Sequence, residues 1–186
     1  MNIQEIVEIS KLANYPTGVQ FLDDLFALAD TAIYYRFMFR LVQRMKPNLI
    51  VELGVCTGRC TAHLAAPKFD CRVLAIDPKP QDIREILARY PNIDLKIDLS
   101  TSPLVLSGVK DNSVDICFID TIHSYRQVIS EFHLWFPKLK VGGVMLFDDI
   151  SLNAGTIKAW VELQQLCVEH VSLPHLHHSG FGAIVK

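Results

Sequence analysis

The stretch "LIVELGVCTGRC", residues 49–60, decides the fold: an apolar run broken by one acid leads into two glycines four positions apart, and a helix-forming segment follows. Gly54 and Gly58 allow the backbone to turn tightly and to approach a ligand, while the start of the following helix offers unpaired N–H groups. The spacing is neither the G-x-G-x-x-G of a dinucleotide fold nor the G-x-x-x-x-G-K-[ST] of a Walker loop. Its E-x-G-x-x-x-G pattern sets Glu52 at the turn, where a carboxylate repels a pyrophosphate and suits a nucleoside ligand with a cationic amino-acid portion.

Outward from this turn, the same alternation of a short apolar run and a helix-like segment recurs. "RVLAID" (72–77) precedes "QDIREILARY" (81–90), and "DLKID" (94–98) precedes a short polar turn or helix. "VDICFID" (114–120) precedes "SYRQVISEFHLWF" (124–136), and "GVMLFDD" (143–149) precedes "GTIKAWVELQQLC" (155–167). Near-continuous apolar strands alternating with helices imply a mostly parallel sheet covered on both faces. The helix after Ser124 fits, since Tyr125, Val128, Ile129, Phe132, Trp135 and Phe136 share one stripe and Pro137 ends it. "CVEHVSL", a polar "PHLHHS" and "GFGAIVK" read as two strands joined by a hairpin-like loop at the sheet edge. Before the sheet, apolar residues at helical spacing from Val19 to Met45 predict one long or two short amphipathic helices, closed by Pro47.

At 186 residues the chain has the size of one domain, 1–186, divided into helical residues 1–47 and an α/β core, 48–186. A net charge of −2 provides no field to gather nucleic acid, so the expected partner is a small molecule. "MNIQEIVEISK" lacks the basic start and apolar core of a signal peptide, and no apolar window is long enough to span a membrane. Cys56, Cys60, Cys71, Cys117 and Cys167 are expected to be buried free thiols in a reducing cytoplasm. Cys56 and Cys60 have no second cysteine pair to complete a structural zinc site.

Almost every strand ends in an acid: Glu52, Asp77, Asp98, Asp120, then Asp148 with Asp149. Ligands of open parallel sheets bind beyond the carboxyl ends of the strands, where the strand order reverses. Asp77 stands where a carboxylate accepts hydrogen bonds from ribose hydroxyls. Asp120, Asp148 and Asp149 belong to strands expected to be neighbours, about 4.7 to 4.9 Å apart. Carboxylates that close raise one another's pKa unless a cation compensates, and three oxygen donors suit Mg²⁺. The alternative is that Asp148 or Asp149 merely caps the next helix.

"VELGVCTGRCT" (51–61), "LAIDP" (74–78) and "FIDTIHSYRQVISEFHLWFPKLKVGGVMLFDDI" (118–150) together resemble the class I S-adenosylmethionine-dependent methyltransferases. The nearest likeness is to the metal-dependent O-methyltransferases: the catechol-type, the macrocin-type sugar enzymes and the cephalosporin-hydroxylase-like proteins. The resemblance covers residues 48–186 and implies a Rossmann-like, seven-stranded, mostly parallel sheet with helices on both faces and an antiparallel terminal strand, preceded by N-terminal helices. It implies that Glu52, Gly54 and Gly58 lie at the methionine end of S-adenosylmethionine and Asp77 at its ribose. Thr57 and Cys60 fall near the carboxylate and Asp98 with Ser100 near the adenine, although Ile97 stands where a glycine is usual. Asp120 would border the cofactor and, with Asp148 and Asp149, hold the divalent ion. Residues 1–47 would supply a lid or a homodimer contact.

His123, three residues after Asp120, has two readings. An unperturbed imidazole, pKa about 6.5, can accept a hydroxyl proton at neutral pH, whereas a histidine at a helix start can simply orient its loop. Ile122 replaces a second acid found in many relatives. His175, His177 and His178 come toward the same rim, either recruiting a softer metal or forming a solvated turn. His63, His133 and His170 are treated as structural. The expected activity is O-methylation of a small-molecule hydroxyl on a sugar, polyketide or phenol, with Asp120 and His123 as catalytic residues. The alternatives are a divergent S-adenosylmethionine-binding protein with little catalysis and a nicotinamide-dependent oxidoreductase.

Overall fold

A computed structural model of the chain describes residues 1–27, 33–67 and 70–186. Seven strands form one sheet: β1 (Leu49–Leu53), β2 (Arg72–Ile76), β3 (Ile93–Lys96), β4 (Val114–Ile119), β5 (Leu139–Asp148), β6 (His170–Ser172) and β7 (Phe181–Val185). Their spatial order is β3-β2-β1-β4-β5-β7-β6. The first five run parallel, β7 is antiparallel to β5, and β6 is antiparallel to β7. This is the expected Rossmann-like arrangement, and its order reverses between β1 and β4.

The period-2 alternation of side chains assigns each strand residue to one of two cores. Ile50, Val73, Ile116, Phe118, Val144 and Leu146 face a layer that includes Phe37, Leu41 and Leu64. Val51, Leu53, Leu74, Cys117, Ile119 and Met145 face Trp135, Trp160 and Leu163. Both faces are covered because the strands have no solvent side, and each large apolar side chain buried here contributes roughly 1.5–3 kcal/mol.

The N-terminal helices are α1 (Ile3–Lys11), α2 (Gln20–Ala27) and α3 (Tyr34–Met45). The region read as one long or two short helices thus contains α2 and α3, while its Leu28 and Asp30 fall outside the described residues. Lys46 ends α3 in the left-handed conformation, immediately before Pro47. The later helices are α4 (Arg59–Ala65), α5 (Arg84–Arg89), α6 (Pro103–Ser107), α7 (Tyr125–Trp135) and α8 (Ala154–Leu166). Among the described residues no helix is long and apolar enough to cross a membrane.

Two boundaries and the burial of one cysteine differ from expectation. β3 stops at Lys96, so Asp98 lies in the following turn, where its carboxylate accepts from the Leu99 N–H and the Ser102 hydroxyl. β5 begins four residues earlier than its apolar run, because Leu139 pairs with Val114 before a register shift leads into the Ile116–Val144 pairing. Cys56 is exposed, while the other four cysteines are buried and none of the five forms a disulfide.

Gly54 is where the sheet meets the site. It has φ +90°, and its N–H donates to the carbonyl of Ile76 at 2.9 Å. A Cβ there would lie 1.8 Å from the carbonyl oxygen of Asp120. Gly18 has φ +80° with nothing within 4 Å of such a Cβ, so it separates backbone strain from collision. Gly18→Ala is expected to cost roughly 1–2 kcal/mol, the left-handed penalty alone. Gly54→Ala should cost several kcal/mol more or prevent folding; equal urea midpoints for the two variants would refute this account of the switch point.

Candidate functional site

The loop after β1 lies over the reversal point and is pinned by Asp77 from the end of β2. One oxygen of Asp77 accepts from the N–H groups of Val55 and Cys56, both at 2.9 Å, and the other accepts from Lys79 N–H at 2.7 Å. A carboxylate has about four acceptor positions, so Asp77 can hold this loop and still accept from a ligand. The cavity beside it has a volume of about 590 Å³, within the range of small-molecule sites. Gly54, Thr57, Cys60, Asp77, Ser100 and Asp120 all line it, together with His123, Tyr34 and Tyr35. A larger, more open depression lined by α1 and α3, about 890 Å³, contains none of these groups.

Glu52 and Asp98 are placed differently from the rest of the expected cofactor set. Asp98 borders a separate cavity with Arg72, Lys96 and Leu104. Glu52 is fully buried below the glycine turn, and neither of its oxygens has a hydrogen-bond partner of ordinary geometry. Burial pushes its carboxyl up to about 8, against smaller opposing effects of the nearby Thr61 hydroxyl and Cys60 thiol. Gly58 caps α4 at φ +72°, where a Cβ would strike Ile83 and Ile86.

Ser100 is held from behind rather than left free for a ligand. Its hydroxyl donates to buried Glu131, whose other oxygen accepts from the Thr121 hydroxyl at 2.7 Å. Gln127 donates to Glu131 at 2.9 Å, and the Trp135 indole donates to the Ser100 carbonyl at 3.0 Å. Burial raises the Glu131 pKa, and these donors offset part of that rise. An acid within the apolar stripe of α7 was the sequence signal for this anchor, which pattern reading passed over.

At the ends of β4 and β5, the acids meet two histidines. His123 Nε2 lies 2.8 Å from Asp149 Oδ2 and 3.5 Å from Asp120 Oδ1. His177 Nδ1 lies 2.7 Å from Asp148 Oδ1 and 3.6 Å from Asp149 Oδ1. The Ser179 hydroxyl donates to Asp149, and the Tyr34 hydroxyl donates to Asp120 Oδ2 at 3.4 Å. The sequence-expected set of Asp120, Asp148 and Asp149 is divided between two overlapping triads, Asp120–His123–Asp149 and Asp148–Asp149–His177, each with ligand atoms within 4.8 Å of one another. His177 belongs to the rim and is not part of a solvated turn. His175 instead bonds Ser10 at 3.1 Å, and His178 packs edge-on against His177.

Capping explains how the acids are left available. α8 is capped by Asn153, whose side-chain oxygen accepts from Gly155 and Thr156 N–H groups, so neither Asp148 nor Asp149 serves that purpose. The same side chain donates to the His123 carbonyl at 2.9 Å, tying the loop before α7 to the start of α8. Asp149 itself is left-handed, at φ 56°.

Electrostatics alter the reading of His123. Its hydrogen bonds to Asp120 and Asp149 raise its pKa to about 10, so beside bare carboxylates it is an imidazolium at neutral pH, not the unperturbed imidazole assumed from sequence. Hydrogen bonding to Asp148 likewise raises His177. Burial pushes Asp148 up to about 6 despite that bond, whereas at Asp149 the His123 and Ser179 bonds outweigh burial and lower the pKa. Of the remaining histidines, buried His63 donates through Nδ1 to the Arg59 carbonyl and His170 to that of Cys167.

With this geometry established, comparison with known proteins identifies its kind. A family model described as a methyltransferase domain matches residues 51–150. An uncharacterised protein of Sinorhizobium fredii is 30% identical over 162 residues, covering 77% of this chain and 18% of that protein. Rhamnosyl O-methyltransferase of Mycobacterium leprae is 26% identical over 121 residues, covering 59% of this chain and 51% of the relative. The chain thus spans about half or less of these curated relatives. The fold is shared with a solved methyltransferase of Geobacter sulfurreducens, at TM-score 0.70, 15% identity and coverage of 93% and 91%. It is also shared with an O-methyltransferase of Bacillus cereus solved in complex with S-adenosylhomocysteine, at TM-score 0.66, 18% identity and coverage of 99% and 90%.

Glu52 gives a pH test free of ligand. Its folded pKa is raised, from the usual 4.5 to about 8, so its stabilising contribution is full below pH 4.5 and lost as pH rises through 8. Glu52→Gln should remove that loss, making the variant more stable than the parent at pH 8.5 by up to about 5 kcal/mol while matching it near pH 4. Urea unfolding at both pH values checks this; parallel stability curves would show that Glu52 is not buried as described.

Proposed function

The chain belongs to this methyltransferase-domain family, and from that premise we propose that it transfers a methyl group from S-adenosylmethionine to a hydroxyl of a small acceptor. The observation that carries the reading is Asp120, which lines the cavity at the strand reversal and also belongs to the acid–histidine rim. One residue thereby joins a cofactor position to an acceptor position. A sugar hydroxyl is the first acceptor to try, given the rhamnosyl O-methyltransferase among the relatives. The family leaves the nicotinamide alternative without support.

In this reading the glycine loop receives the methionyl portion, with Asp77 accepting from the ribose hydroxyls. Ser100, fixed by Glu131 and Trp135, sets the wall beyond them. Tyr34 and Tyr35, edge-on to one another at 4.6 Å between ring centres, close the cavity from α3 and give residues 1–47 the role of a lid. The work of the site is orientation of methyl donor and acceptor, a contribution that can reach several kcal/mol.

A divalent cation fits the donor chemistry, since the carboxylates of Asp120 and Asp149 converge with that of Asp148 beside them, which leaves the His123 imidazole for proton transfer. When bound, it would polarise the acceptor hydroxyl and offset the negative charge beside it. The chain's own contribution to proton removal rests on His123. Once its carboxylate partners have another countercharge, the imidazole no longer needs to remain protonated and can take the hydroxyl proton at Nε2. The Asn153 side chain, bonded to the His123 carbonyl, fixes the loop that carries the ring. The location is proposed to be cytoplasmic, with no nucleic acid or membrane as partner and a homodimer contact as a second role for residues 1–47.

Calorimetric titration with S-adenosylhomocysteine tests the cofactor. Micromolar binding is expected, weakened at least tenfold in Asp77→Asn; no heat at high protein concentration would overturn the assignment. On an accepted sugar, Asp120→Asn and chelation should each lower turnover by at least a hundredfold. Full activity after both treatments would remove the cation from the reading.

A further inference from the structure

We propose that the rim contains a second, nitrogen-bearing divalent-metal position formed by Asp148, Asp149 and His177, adjoining the position between Asp120 and Asp149 and sharing Asp149 with it. The inference extends the cation part of the proposed function and adds a ligand from the C-terminal hairpin, which the acid pattern alone did not identify.

Three observations carry it. The two oxygens of Asp149 face different partners: Oδ2 meets His123 at 2.8 Å, while Oδ1 faces His177 at 3.6 Å and accepts from Ser179. A carboxylate so divided is arranged to bridge two cations, and paired sites hold their metals about 3.5–4 Å apart. Second, His177 presents Nδ1 toward the acids, although its side chain is only 13% exposed and that of Asp148 only 3%. Its edge-on contacts with Tyr34, at 5.3 Å, and His178, at 4.4 Å, hold the ring in that orientation. The Ser179 hydroxyl, which donates to Asp149, supplies an outer-shell partner for that carboxylate.

Third, Asp148, Asp149 and His177 bring two carboxylates and one imidazole together with their ligand atoms within 4.8 Å of one another. The donor type also narrows the ion. Magnesium prefers oxygen and retains its waters, whereas an imidazole nitrogen with carboxylates suits cobalt, nickel, zinc or ferrous iron.

Cobalt(II) chloride titrated into the full chain, followed by calorimetry and visible absorption, tests this. Two cobalt ions per chain are expected, with at least one bound ten times or more tightly than magnesium. His177→Gln should retain one ion and lose the nitrogen-dependent absorption of the second, while Asp120→Asn should lose the other and His178→Gln should keep both. If His177→Gln does not fold, Asp148→Asn asks the same question. A single ion in the parent chain, or two ions undiminished by His177→Gln and Asp148→Asn, overturns the second position. Failure of the transferase reading would instead appear as absent S-adenosylhomocysteine binding, a titration independent of cobalt stoichiometry.

Discussion

Three carboxylates gathered at the ends of two adjacent strands would repel one another without countercharge, and the rest of the site is organised around that constraint. Asp120, Asp148 and Asp149 arrive there because β4 and β5 are parallel neighbours ending at the same edge. His123 and His177 come from elements on either side to meet them. Burial increases the importance of the contact, since charges in a low-dielectric setting interact more strongly than in water. The same edge borders the cavity over the strand reversal, so the electrostatics of the rim act directly on anything bound there.

The strands and the position of the crevice were legible because each depends on local pattern, whereas the arrangement of the sheet was expected only from the family resemblance. Apolar runs of five or six residues followed by helix signals leave few topologies once crossover handedness is imposed. Gly54, Asp77 and Asp120 were legible for a related reason: a strand end in this architecture has one place to point. Boundaries were less legible where pairing across the sheet, not propensity, sets them. Leu139 to Gly142 join β5 through pairing across a register shift, whereas Asp98 leaves β3 by bonding its own turn.

The remainder of the site depends on tertiary contacts that no short window contains. Tyr34 resembles any aromatic on an amphipathic helix, and His177 resembles any histidine in a polar loop. Glu131 was visible only as an exception on the apolar stripe of α7, and two of its three donors, Ser100 and Thr121, come from outside that helix. The protonation of His123 was also beyond the sequence. A histidine next to one acid in the chain gave no indication of Asp149, whose carboxylate reaches it from another strand.

The contact between Tyr34 and the C-terminal hairpin adds a temporal consequence. The Tyr34 N–H donates to the Leu176 carbonyl at 3.2 Å, and the Tyr34 ring lies against His177 and Phe181. These partners lie on opposite sides of the β1–β5 core in the sequence, outside the segment matched by the family model. Joining such distant segments carries the entropy cost of long-range closure and is slow relative to local helix formation. His123 already meets Asp149 from within the β1–β5 core, so what the docking of the helical segment on the hairpin completes is the other half of the rim, where His177 reaches Asp148 and Tyr34 reaches Asp120.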